Sequence, residues 1–251
     1  MNPTPSHEEL LDLHTEEAIA HRLNATTHNY LGDFILGAVD GAVTTFAIVA
    51  GAAGAGLSSG VAVVLGVANV LADGFSMAAG NYLKARSDHQ TVDHCRRIEA
   101  MHIERVPDGE REEVRQIFRN KGFEGELLEQ VVEVITKDRE LWIDTMLTDE
   151  LGLQLEPPHP VRAAVTTMVA FVAAGMVPLL PVMTSVSASA RESFPQTAML
   201  TAVTFFAIGV FRGKETQRNV WIAGLETLLI GAAAAVVAYG VGALLERAIL
   251  R

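Results

Sequence analysis

At 251 residues, with 49% apolar side chains, 6% aromatics and a positive mean hydropathy, the chain is too apolar for an ordinary soluble domain of its size. A net charge of −11 with no dominant basic block argues against nucleic acid as a partner and for a cation. The lone cysteine, Cys95, excludes a disulfide framework and Cys-rich zinc or iron–sulfur modules, leaving oxygen, imidazole and thioether groups to hold any metal.

Residues 1–32 are acidic and contain histidine, without the basic-then-apolar pattern of a cleaved leader, so the N-terminus is expected to stay in the cytosol. Within them SHEELLDLHTEEAIAHRL is amphipathic and is expected to lie along the membrane surface or to pack on the polar insert described below. His7, His14 and His21, seven apart, read more simply as a solvated polar face than as a metal site.

Five apolar stretches follow, each long enough to cross a bilayer as a helix. The first two, near 33–55 and 60–83, are separated by a short Gly/Ser turn and predict a tight hairpin; three more lie near 163–184, 196–212 and 221–245. The expected fold is therefore all-α: residues 33–83 form spans one and two, 84–161 a polar helical insert, and 162–251 spans three to five. Lys84, Arg86, Arg96, Arg97, Arg105 and further basic residues load the insert, and Arg212, Lys214 and Arg218 load the last loop, so both are expected to face the cytosol. Runs such as AIVAGAAGAG and LIGAAAAVVAYGVG let helix backbones approach closely and suit a homodimer.

Ionisable groups at membrane depth are costly, roughly 2.5–3.5 kcal/mol each on insertion scales, so Asp40, Asp73 and Glu226 need a reason. Asp33, Gly37, Asp40 and Thr44 share one face of span one, and Asn69, Asp73, Met77, Gly80 and Asn81 line one stripe of span two. Met77 alone would be ordinary packing; beside Asp40 its thioether is a soft ligand that favours a transition metal over Mg2+ or Ca2+. Asp73 and Glu226 are candidate proton carriers, or else interhelix contacts.

In the insert, a helix continuing from span two meets a break at Pro107-Asp108-Gly109, and further helices are expected near 110–121, 124–136 and 138–151. Glu99 and His102, Glu110 and Glu113, and Met146 and Glu150 each share a helix face. Such pairs converging from adjacent helices build bundle metal sites, and a solvated charged face has the same spacing.

The stretches GAVDGAVTTFAIVAGAAGAGLSSG and GVANVLADGFSMAAGNYL, the insert ending WIDTMLTDELGL, and VPLLP in span three together resemble the vacuolar iron transporter family across nearly the whole chain. The resemblance implies a dimer of five-span protomers that carries Fe2+, with Mn2+, Co2+ and Zn2+ as further ions, out of the cytosol in exchange for protons, with no prosthetic group and no enzymatic activity. It places a translocation path on Asp40 and Met77 with Asp33 lower down, and insert ligands on Glu99, His102, Glu110, Glu113, Met146 and Glu150. His102 and Leu147 stand where that pattern has glutamate and methionine, and Asn81 where similar proteins often have glutamate. The membrane implied is vacuolar in a eukaryote and the inner membrane in a prokaryote. The reading from another class is a membrane-tethered metal sensor or storage adaptor, which would have no use for Asp40 and Met77.

Overall fold

The computed structural model describes residues 6–24, 29–184 and 186–249. Among them the chain is helical throughout, with an isolated bridge between Ser58 and Ser189 as the one extended pairing. In order, α1 spans His7–Leu13, α2 Glu16–Asn24, α3 Leu31–Gly54, α4 Ser59–Arg105, α5 Pro107–Asn120, α6 Gly125–Lys137, α7 Arg139–Thr145, α8 Pro160–Met176, α9 Leu180–Met183, α10 Ala190–Glu215 and α11 Val220–Ile249. A π turn, Met146–Glu150, continues α7, and a 3-10 turn, Val177–Leu179, joins α8 to α9. The chain divides into two compact units: the segment up to Tyr82 together with that from Pro160 on, and Leu83–His159. The 47-residue α4 contributes its first part to one and its last part to the other.

Among the described residues five helices are long and apolar enough to cross a membrane: Leu31–Gly54, Ser59–Arg105, Pro160–Met183, Ala190–Glu215 and Val220–Ala248. This is an all-α, polytopic membrane protein. Lipid supplies no hydrophobic drive between helices, so close backbone contact has to come from small residues. A Cβ on Gly37 would lie 2.4 Å from the Thr167 carbonyl oxygen, and one on Gly41 2.3 Å from that of Phe171; these two glycines bring α3 onto α8. Gly242 does the same for α11, where a Cβ would stand 2.2 Å from the Gly51 carbonyl. Ala38, Ala42, Phe46 and Ala50 of α3 then pack against Ala170 and Ala174 of α8, Phe205 of α10 and Ala235 of α11, so α3 is the axis of the bundle.

The hairpin turn between α3 and α4 uses Gly56 at φ +66°, a left-handed conformation that costs glycine nothing. Beyond it the backbone pairs with the start of α10: Ser59 donates to the Ala188 carbonyl, and Ala190 to that of Leu57. Arg191 completes this end by donating to the Ala53 and Gly54 carbonyls and pairing with Glu246. A guanidinium on the last carbonyls of a helix satisfies orphan acceptors and complements the helix dipole.

Two boundaries differ from expectation. α10 begins at Ala190 rather than near 196, because Ser189 caps it with its side chain and Pro195, near the helix start, is accommodated within it. α5 begins at Pro107 rather than 110: proline stands in the first turn, where a missing N–H costs nothing, and so starts the helix. Its C-terminus follows the expected pattern, with Gly122 at φ +96° and Phe123 N–H reaching back to the Phe118 carbonyl.

At the N-terminus Leu10, Leu11, Leu13 and Ile19 are exposed. His14 Nδ1 donates to the Leu10 carbonyl, which uses that ring nitrogen locally. The side chain of His21 lies outside the described residues.

Candidate metal centre

The second unit is built around two apolar clusters. Val114, Leu128, Val132, Ile135, Trp142 and Met146 form one, from α5, α6, α7 and the π turn; Val92, Ile143 and Leu147 form the other, from α4, α7 and the π turn. The amphipathic helices close over them, and ion pairs fasten the outside: Arg96 with Glu140 and Asp144, Arg115 with Glu112 and Glu129, and Lys121 with Asp149. Asp138 caps α7, accepting from the N–H groups of Glu140 and Leu141.

Against this frame α4 and α5 bring Glu99, His102 and Glu110 together, with one ligand atom from each lying within 4.8 Å of the others. Glu99 is 5% exposed and Glu110 3%, while His102 is half-buried. His102 Nδ1 stands 3.3 Å from Glu110 Oε1. Among the described residues nothing donates to Glu99 Oε2 or Glu110 Oε2, so two buried carboxylate oxygens are orphans. Buried polar groups are almost always paired, and an uncompensated buried charge is expensive, so such a cluster is poised for a cation.

The electrostatics agree. Burial pushes the Glu110 carboxyl up to about 7, helped by Glu113 and Glu99 and opposed by His102. Glu99 is raised by burial, opposed by His102 and reinforced by Glu113; Glu150 is raised by burial and then by Glu113 and Glu99. Like charges crowded in a dry site hold protons until a cation replaces them. Glu113 and Glu150 are thus within electrostatic reach of the pocket, with Glu150 exposed on the π turn. Met146, fully buried, is a core residue of the apolar cluster, and Leu147 packs against Val92 and Ile143.

In the spanning unit Asp33, Asp40 and Met77 are all half-buried. Asn81 of α4 donates to Asp33 of α3 at 2.9 Å, and Asp73 of α4 acts electrostatically on Asp40 of α3. The two pairings fit one antiparallel register, and Met77 lies midway between Asp73 and Asn81 on α4. Thr44 spends its hydroxyl on the Asp40 carbonyl at 2.8 Å. Glu226 is paired with Arg212 across α10 and α11. Sequence reasoning missed Thr167 and Arg191. Two adjacent threonines, Thr166 and Thr167, in an Ala/Val-rich span carry no signal of a polar node, and Arg191 lies before the apolar stretch near 196–212.

Five helices long and apolar enough to cross a membrane and a carboxylate–imidazole cluster define a membrane protein with a candidate metal site. Residues 31–243 match the family model described as the VIT family, and the chain belongs to that family. It is 35% identical to vacuolar iron transporter 1 of Tulipa gesneriana over 94% of this chain and 93% of that protein. It is likewise similar to vacuolar iron transporter 1 of Eucalyptus grandis, at 35% over 92% and 90%, and of Arabidopsis thaliana, at 32% over 94% and 91%. The chain is a metal-ion transporter and not an enzyme.

Proposed function

We propose that the chain moves Fe2+, and with it Mn2+, out of the cytosol in exchange for protons, as a homodimer in a vacuolar-type membrane. The relatives named as vacuolar iron transporters support the ion and the membrane. The observation that carries the reading is the pair of orphan oxygens in the Glu99–His102–Glu110 pocket, because a site that pairs its charges only through a cation or a proton exchanges one for the other. The insert gathers the ion on the cytosolic side, with Glu113, Glu150 and Met146 completing the ligand set. Asp33, Asp40 and Met77 carry it through the spans, and Asp73 serves the counter-moving proton. An exposed stripe of Val64, Leu65, Leu71 and Phe75 on α4 suits lipid or a second protomer.

The test is uptake of Fe2+, Mn2+, Co2+ and Zn2+ by proteoliposomes under an imposed pH gradient, for wild type and Asp40→Ala. Gradient-dependent uptake that Asp40→Ala abolishes is expected. Equal uptake by the two would remove the path, and uptake indifferent to the gradient would remove the exchange.

A further inference from the structure

Three helices meet at Asn81. Its Nδ2 lies 2.9 Å from Asp33 Oδ1 on α3, 2.8 Å from Thr167 Oγ1 on α8 and 3.3 Å from the Ala163 carbonyl. The direction of each bond follows from the partners. Thr167, fully buried, gives its single hydroxyl hydrogen to the Ala163 carbonyl at 3.0 Å, so its oxygen is left as an acceptor towards Asn81. An ionised carboxylate only accepts. The face of Asn81 towards both is therefore its NH2 group, whose two hydrogens go to Asp33 and Thr167. The Ala163 carbonyl is already served by Thr167. Gly37 lets α3 reach the Thr167 backbone at the same level.

We propose that Asn81 is a positioning residue for transport, holding the Asp33 carboxylate in the one orientation that receives the ion at this end of the span bundle. The proposal rests on Asp33 lying on the proposed ion path. Asn81 is suited to this because its amide donates to two acceptors at once and carries no charge of its own. A carboxylate ordered in advance spares the ion the cost of ordering it. Without the amide, Asp33 turns among its rotamers, and Thr167 is left without the donor its buried oxygen now has.

The experiment is the initial rate of Fe2+ uptake into proteoliposomes of the full-length protein, against Fe2+ concentration, for wild type, Asn81→Ala and Asn81→Asp. KM is the discriminating quantity, because a variant that merely folds less well lowers the maximum rate and leaves KM alone. Asn81→Ala is expected to raise KM about tenfold, the size of a lost hydrogen bond to a charged group. Asn81→Asp keeps the shape but turns an oxygen towards Asp33 and is expected to raise KM further. Either variant decides the matter if the other does not fold. A KM within about twofold of wild type in the variant that folds would overturn the proposal alone. Absence of saturable uptake by wild type would overturn it together with the transport reading.

Discussion

His102 Nδ1 on α4 and Glu110 Oε1 on α5 face each other at 3.3 Å across the helix break at Val106. The contact joins the imidazole of the pocket to its most strongly perturbed carboxyl, and the proposed proton and ion chemistry both turn on it.

Glu110 holds its proton up to about pH 7 in the folded protein, whereas an unfolded chain releases it near the ordinary value of 4.5. Between those pH values the folded state binds more protons, so metal-free stability falls as pH rises through the window. Thermal melts of the full-length protein without metal are expected to drop from pH 5 to pH 8, and Glu110→Gln is expected to flatten the dependence. A saturating divalent ion restores stability at pH 8 for wild type and does so poorly for the variant.

His102 supplies nitrogen where a carboxylate would supply oxygen, and imidazole favours Co2+ and Zn2+ relative to Mn2+. His102→Glu is expected to shift relative affinity towards Mn2+, and His102→Ala to weaken all three ions by about tenfold or more. Competitive titration of the full-length protein checks both.

Met146 is fully buried among Val114, Leu128 and Trp142, so its truncation tests packing and ligation at once. Met146→Ala is expected to cost about 2–5 kcal/mol in unfolding. Met146→Leu conserves volume and is expected to cost less than about 1.5 kcal/mol. An affinity lost in Met146→Leu with stability retained would assign the thioether to the ion.

Gly41 faces the Phe171 carbonyl with no room for a methyl group. Gly41→Ala is expected to push α3 from α8 and lower the melting temperature in detergent, with a cost of about 1–3 kcal/mol. Gly32, where a Cβ meets nothing within 4 Å, is the matching position at which alanine is expected to be neutral.

How far the sequence foretold this structure differs by element. The spans were legible because an apolar run of helical length has few other uses, and α3, α4 and α11 fall close to where hydropathy drew them. α10 was drawn short because Arg191, Glu192 and Pro195 mask a helix start that Ser189 caps. In the insert the i, i+3 pairs showed which side chains share a face, and nothing local showed that Glu99, His102 and Glu110 would converge while Glu113 and Glu150 stay at the margin. That depends on how α5 turns back after Val106, a tertiary outcome. The π turn at Met146–Glu150 was invisible too: it adds a residue to one turn, so spacing read at 3.6 residues misplaces Glu150 relative to Met146.

The central claim, that ion and protons displace one another on the same buried carboxylates, is tested most directly by counting protons released on binding. Calorimetric titration of Mn2+ into the full-length protein at pH 6.5, in two buffers of different ionisation heat, measures that number. The account predicts release of about one proton per ion by wild type and distinctly less by Glu110→Gln. Equal heats in the two buffers for wild type would contradict it.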